Sequence, residues 1–450
     1  MPRLRFFFSA LIVVIVFSVA GTVRAEERLV PAEAGALALA IAGANPGDVL
    51  TLAPGRHEGP VVLEFPITLD GRNEALIQGN EQGSVITVTG TDVTLRGLEI
   101  RGSGSDHQVV DAGVKLDRSA VRAVVEHNVL IENLVGVHVF GARDSIVRDN
   151  IVTGRQDYRM NDRGNGIYVW NAPGTVVERN DVRYGRDGIF ANASRENIFR
   201  DNLFRDLRFA VHFMYTNRSE ISGNVSIGNR LGFAIMFSNR VKVASNMSLG
   251  DLGHGLMLNY TNNADVSDNL VRGGTQEKCT FIYNAHRNLI VNNRFEGCEI
   301  GIHFTAGSER NAITGNAFIG NQTQVKYVGT RDIEWSYKGR GNYWSDHPAF
   351  DLDGDGIADA RFRPNDMMDH ILWSQPAAAL LLGSPAVQLI RWSQAHFPAT
   401  TPGGVVDSFP LTRPVVIAVP EHIARMEAES WPAWRHEGQI DDEPDPFTGH

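Results

Sequence analysis

The sequence predicts an all-β fold, a right-handed parallel β-helix, on three observations. Asparagines recur at a fixed interval: Asn180, Asn202, Asn224 and Asn246 are 22 apart, and Asn269, Asn293 and Asn316 follow at 23, 24 and 23. The slot three residues before each asparagine is apolar, as at Val177, Phe199, Ile221, Val243, Val266, Ile290 and Ile313. A small residue stands fourteen before most of them, at Gly166, Gly188, Ala210, Gly232 and Gly255. Within each period short β-branched and aromatic runs alternate with Gly and Asn, without helical periodicity. About 22 residues hold three short strands and three turns, which is one coil of a solenoid. Stacked coils set equivalent residues about 4.8 Å apart, so the asparagines form a ladder of amides bonded up and down the stack. Asn also tolerates the left-handed backbone expected of a tight turn.

Taken in order, residues 1–25 read as a targeting segment. Arg3 and Arg5 precede an apolar run from Phe6 to Ala20, and Val23-Arg24-Ala25 has the form of a signal-peptidase site. That implies export, and the run is too short to span a bilayer comfortably. Its removal takes three arginines and no acid, leaving 39 Lys+Arg against 52 Asp+Glu, a net charge of about −13. Such a balance argues against nucleic acid or an anionic membrane as partner. Residues 26–347 form the solenoid. Pro31 to Ala42 reads as a short helix, ended by Gly43, that covers its open end. The first coils are broken by Pro54-Gly55, Asp70-Gly71 and Gly83. Two excursions, Gly102 to Ala112 and Arg155 to Asn165, each precede the start of a coil and so lie along one edge. The last coil closes near Gly341-Asn342-Tyr343-Trp344. Residues 348–370 are Asp-rich, and 371–450 form a tail of different composition, either a cap or a docking segment; the solenoid is expected to stay folded without the part beyond Pro376.

Strand alternation carries the chemistry. Counting the small residue as zero, positions one and three are apolar (Val211 and Phe213, Phe233 and Ile235, Leu256 and Leu258) and face inward. Positions two and four then face outward, and they hold His138, Tyr168, His212, Met257, Phe281 and His303, with Trp170, Met214, Met236 and Tyr283. Solvated sheet faces are normally charged or Thr-rich, so Met, His and aromatic rings there call for an explanation. His212, Met214, Met236 and Met257 fall within three coils. Three thioethers and an imidazole make a soft set suited to Cu(I) and poorly suited to Ca²⁺ or Zn²⁺. His254, Cys279 and Cys298, on the lip before their strands, extend it, and Met367, Met368 and His370 form a second, sparser group. The alternative is that a loop or the tail covers this face and methionine is packing filler.

Cys279 and Cys298 are nearly one coil apart, so in an oxidising compartment they form a disulfide or, alternatively, ligate metal. Asp351, Asp353, Asp355 and Asp359, with Gly356 sixth, follow the order of a calcium loop, but Phe362 stands where the bidentate Glu belongs. Structural Ca²⁺ or a solvated acidic turn both fit. Exported β-helices often bind or cleave acidic polysaccharide, and Gly253-His254-Gly255 is similar to a short polygalacturonase motif. No paired-Asp motif accompanies it, and the acidic chain would repel such a substrate. No nucleophile, base and acid set stands out either, so the chain reads as a non-enzyme.

The Asn-centred coils, Gly341-Asn-Tyr-Trp-Ser-Asp, the Asp351 to Asp359 loop and the tail runs Ser384 to Trp392, Phe397-Pro and Gly403-Gly-Val-Val-Asp-Ser-Phe-Pro together resemble the NosD family. The resemblance covers essentially the whole chain and is most specific in the tail. It implies a periplasmic accessory protein that works with an ABC transporter, receives copper from a chaperone and helps assemble the copper–sulfide centre of apo nitrous-oxide reductase. It strengthens the copper reading of the Met/His face without saying which residues bind. The tail, interrupted by Gly383 and Pro385, cannot span a bilayer.

Overall fold

The computed structural model describes residues 25–430, apart from 275–276, 306, 330, 382 and 397–402. The leader up to Arg24 and the Phe397-Pro398 pair lie outside these residues. The chain is a parallel β-helix. One broad sheet stacks twelve strands from Val61–Leu63 to Thr323–Val328, most of them six residues long, while shorter strands, mostly two per coil, make a 24-stranded sheet around the other sides.

The ladder is longer than the spacing indicates. It runs Asn128, Asn150, Asn180, Asn202, Asn224, Asn246, Asn269, Asn293, Asn316, Asn342, each Nδ2 donating to the next Oδ1 at 2.8–3.1 Å. The second N–H of each interior amide is also used, as in Asn202 Nδ2 to the Val177 carbonyl at 3.0 Å. The expectation that Asn itself takes the left-handed angle is wrong. The residue before it does, as at Arg179 (φ 53°), Asp201 (φ 55°) and Ser245 (φ 56°). The chain turns at that exposed position so that the amide following it can point into the stack.

Between the ladder and the broad sheet lies one continuous apolar core that includes Val177, Phe199, Ile221, Val243 and Ile290. The small residue at position zero is dictated by this core. A Cβ on Gly188 would strike the Phe204 ring and the Ala210 carbonyl, and one on Gly232 would strike the Gly255 carbonyl.

Both ends are covered. The N-terminal helix α1 is Ala36–Ala42, shorter than expected because Gly35, at φ 72°, breaks the chain before it, and Gly43 closes it as anticipated. Leu37 joins the core, with Ala40 and Ile41 packed beside it. At the other end the tail returns. Val405–Val406 pairs with Ile333–Glu334, and Asp407 receives the last rung, accepting from Asn342 N at 2.7 Å and Trp344 Nε1 at 2.8 Å. Further helices are α2 (Met367–Ser374), α3 (Pro385–His396) and α4 (Glu421–Ser430). Ile423 and Met426 of α4 pack on Ile227, Leu249 and Leu270 of the solenoid, and Arg272 pairs with Glu427 at 3.0 Å. Residues 405–411 thus lie against the last coil, as the cap alternative for the tail expects. No helix among the described residues is long and apolar enough to cross a membrane.

Candidate functional site

The register sets the outward residues in columns. His212 pairs with Ala234 and Ala234 with Met257; alongside, Met214 pairs with Met236 and Met236 with Asn259. A third column stands at the start of the strands, where Asp187 pairs with Phe209 and Phe209 with Leu231. The chain bends at position zero, so this column joins the outer face: Phe209, Leu231, Ala234, Met236, Met257 and Phe281 pack as one cluster, separate from the core. The face is not open to solvent. Met257 is 1 % exposed, Met236 3 % and His212 9 %, whereas Met214 is half-buried. Ala234 is the smallest side chain of its column, flanked by an imidazole on one side and a thioether on the other.

His212 is held from behind. Its Nδ1 lies 3.2 Å from Asp187 Oδ2, and Arg208 grips the same carboxylate through Nε and Nη2 at 2.9 and 2.8 Å. Asp187 is fully buried. Burial alone would raise its pKa, but the hydrogen bond from His212 and the ion pair with Arg208 outweigh that and hold the carboxyl well below its usual range. A carboxylate at Nδ1 fixes the tautomer in which Nε2 carries a lone pair. That Nε2 is buried with no hydrogen-bond partner. Phe209 stacks on the ring at 4.6 Å and Phe190 leans on it at 4.8 Å. Burial of an unsatisfied acceptor is unfavourable, so the arrangement suits a group that accepts a Lewis acid. By donor type, the thioethers of Met214, Met236 and Met257 on the same face would suit Cu(I) together with such a nitrogen.

The other sequence candidates scatter. His254 is buried on the same face, its ring 5.4 Å from Phe281. Cys279 and Cys298 form a disulfide within the core. Cys279 occupies position zero and points inward, not onto the lip, so the oxidised pair offers no thiolate to a metal. Met367, Met368 and His370 stand on α2; the side chains of Met367 and His370 are outside the described residues, and Met368 is buried but not in the cluster of Met236 and Met257. Asp351, Asp353 and Asp355 bring carboxylate oxygens within 4.8 Å of one another. Asp359 instead accepts the Leu352 amide at 2.8 Å, and Phe362 packs on Trp344 and His347, so the calcium-loop order is only partly realised.

Sequence reasoning missed Asp187 and Arg208. The available signal was an acid at the position before Gly188, in a column that elsewhere holds Phe209, Leu231, His254, Lys278, Ile300 and Thr323. The outward His138 and His303 are buried too, with no carboxylate of the described residues bonded to the ring: His138 stacks on Tyr168 at 4.9 Å, and burial pushes its pKa down to about 4 and that of His303 to about 3.

The chain is thus a parallel β-helix whose broad sheet carries His212, Met214, Met236 and Met257 on one face. Residues 148–349 match the family model described as periplasmic copper-binding protein (NosD). A probable ABC transporter binding protein NosD from Stutzerimonas stutzeri is 40% identical over 375 residues, 80% of this chain and 86% of that one. Its counterpart from Pseudomonas aeruginosa is 37% identical over 399 residues, 84% of this chain and 93% of that one. The chain belongs to the NosD family. Among solved structures, an endo-xylogalacturonan hydrolase from Aspergillus tubingensis matches at a TM-score of 0.47 and 10% identity, covering 71% of this chain and 99% of that one. The A-module of mannuronan C-5 epimerase AlgE6 from Azotobacter vinelandii matches at 0.45 and 13%, covering 62% and 93%.

Proposed function

We propose that the chain binds Cu(I) through His212 Nε2 and the thioethers of Met214, Met236 and Met257, and serves in the periplasm as a non-enzymatic accessory to an ABC transporter. Its task in this reading is to pass copper, received from a chaperone, toward the copper–sulfide centre of nitrous-oxide reductase. Any ATP hydrolysis belongs to the transporter. The family description and the relatives' names support the copper and transporter parts; the reductase rests on the family resemblance.

The observation that carries the site is the buried, unpartnered Nε2 of His212, with Nδ1 held by a carboxylate. Asp187 orients the ring and offsets part of the charge of a bound cation, and Arg208 keeps Asp187 ionised. Thioethers need no deprotonation, so only His212 competes with protons for the ion. Ca²⁺ at Asp351, Asp353 and Asp355 would be a separate, structural ion.

Met214→Leu/Met236→Leu tests this. The double change nearly conserves apolar volume and should cost less than about 1.5 kcal/mol per site. Cu(I) competition titration beside thermal melts should show affinity reduced at least tenfold with the fold intact. Unchanged affinity means the methionines only pack. Retention of the wild type on a polyuronate column, without Cu(I) uptake, would favour the polysaccharide reading instead.

A further inference from the structure

The turn that follows the broad sheet carries an aromatic rail on the same coils as the donor patch. Tyr215, Phe237 and Tyr260 directly follow Met214, Met236 and Asn259. Their rings stack in sequence at 5.2 Å, with interplanar angles of 22° and 9°, yet they are 52 %, 37 % and 44 % exposed. All three have left-handed backbones, at φ 53°, 49° and 49°. Equivalent turns elsewhere in the solenoid use Asn171, Ala193 and Asn284 at that angle. A bulky ring at positive φ is strained, and these rings lie outside the apolar core. Their mutual stacking offsets part of this strain, and their outer faces remain open to a partner.

Two further facts say what the rail serves. Met214 is half-buried while Met236 and Met257 are buried, so solvent reaches the patch at the strand end that Tyr215 continues. The same turns also present exposed Arg195, Arg218, Arg240, Arg287 and Arg310. The acids on them are Glu196, which pairs with Arg218 at 2.7 Å, and Glu309; just beyond stand Glu220, paired with Lys242 at 3.3 Å, and Asp265. This edge is cationic on a chain whose formal charge is −10. We propose that the Tyr215–Phe237–Tyr260 rail is the docking edge for a copper-carrying protein whose contact segment is acidic and bears thioethers, and that the ion passes over Met214. The proposal rests on the copper reading above. Stacked rings supply flat apolar contact at low entropic cost, and the arginines steer the acidic partner.

The test uses the full mature chain and two synthetic Cu(I)-loaded methionine-motif peptides, one flanked by Asp and Glu, the other by Lys. Stopped-flow transfer at low salt should run about tenfold faster or more from the acidic peptide, the scale of electrostatic steering. The advantage should shrink in 0.5 M salt, where the screening length is only a few ångströms, as expected from the order of ~3 Å at 1 M. It should fall in Arg218→Glu/Arg240→Glu, and Phe237→Ser should slow transfer from the acidic peptide. None of these changes should alter equilibrium Cu(I) affinity. Equal rates from both peptides, or an unchanged ratio in the arginine variant, overturns the rail while leaving the copper site standing. Failure of the wild type to take Cu(I) at all overturns both.

Discussion

Asp251 places a titrating acid in the solenoid interior, and its pH dependence can be worked out. The carboxylate has no exposure and accepts from Ser226 Oγ at 2.7 and 2.9 Å and from Asn229 N at 2.8 Å, with Ser248 Oγ also bonded to it. Burial pushes its pKa up to about 6, against the pull of these donors. The folded chain therefore keeps a proton that the unfolded chain releases above the ordinary value of 3.8. Below that value both states are protonated and Asp251 contributes no pH dependence. Between it and about pH 6, folding stability is lost as pH rises, and above that the loss is constant. Two units correspond to about 3 kcal/mol. Asp251→Asn removes the titration and lets the neighbouring hydroxyls turn to accept. His138 and His303 act in the opposite sense: their depressed folded pKa values cost stability as pH falls from 6.5 toward 4. They are common to both proteins and cancel in the difference. Urea unfolding of wild type and Asp251→Asn from pH 4 to pH 7.5 should show the variant gaining about 2.5 kcal/mol relative to wild type across that range. Parallel profiles would refute the assignment of a neutral buried acid.

Asp407→Ala should lower the melting temperature clearly, because Asn342 N and Trp344 Nε1 lose their buried acceptor at about 1–3 kcal/mol each; Asp353→Ala, on the exposed loop, should not, and equal melts would mean the tail does not cap the ladder. Gly232→Val should destabilise far more than Arg240→Ala, since its side chain would meet the Gly255 carbonyl; the clash alone is the cause, Gly232 having no left-handed angle, and comparable melts would contradict the register. Asp187→Asn should weaken Cu(I) binding by about 10–100-fold through loss of the carboxylate behind His212, measured by competition titration, and an unchanged constant would remove His212 from the ligand set.

The fold was legible because a stacked solenoid repeats one environment, and repetition writes itself into spacing. The interval of Asn180 to Asn316, the apolar slot before each and the alternation around Gly188, Gly232 and Gly255 are consequences of coils lying in register, so they located the inward and outward faces without coordinates. The outward set of His212, Met214, Met236 and Met257 followed from the same arithmetic. What the period could not carry were contacts made off it. Asp187 reaches His212 from the preceding coil because the strand bends at position zero. The pairing of Cys279 with Cys298 in the core depends on which way the position-zero side chain points. Asp407 closes the ladder from 65 residues beyond Asn342, and the local sequence around either residue holds no trace of that partner. Local periodicity is set by backbone geometry and is visible in one dimension; ends, corners and the charge behind a ligand are set by chain segments that meet only once the solenoid has formed.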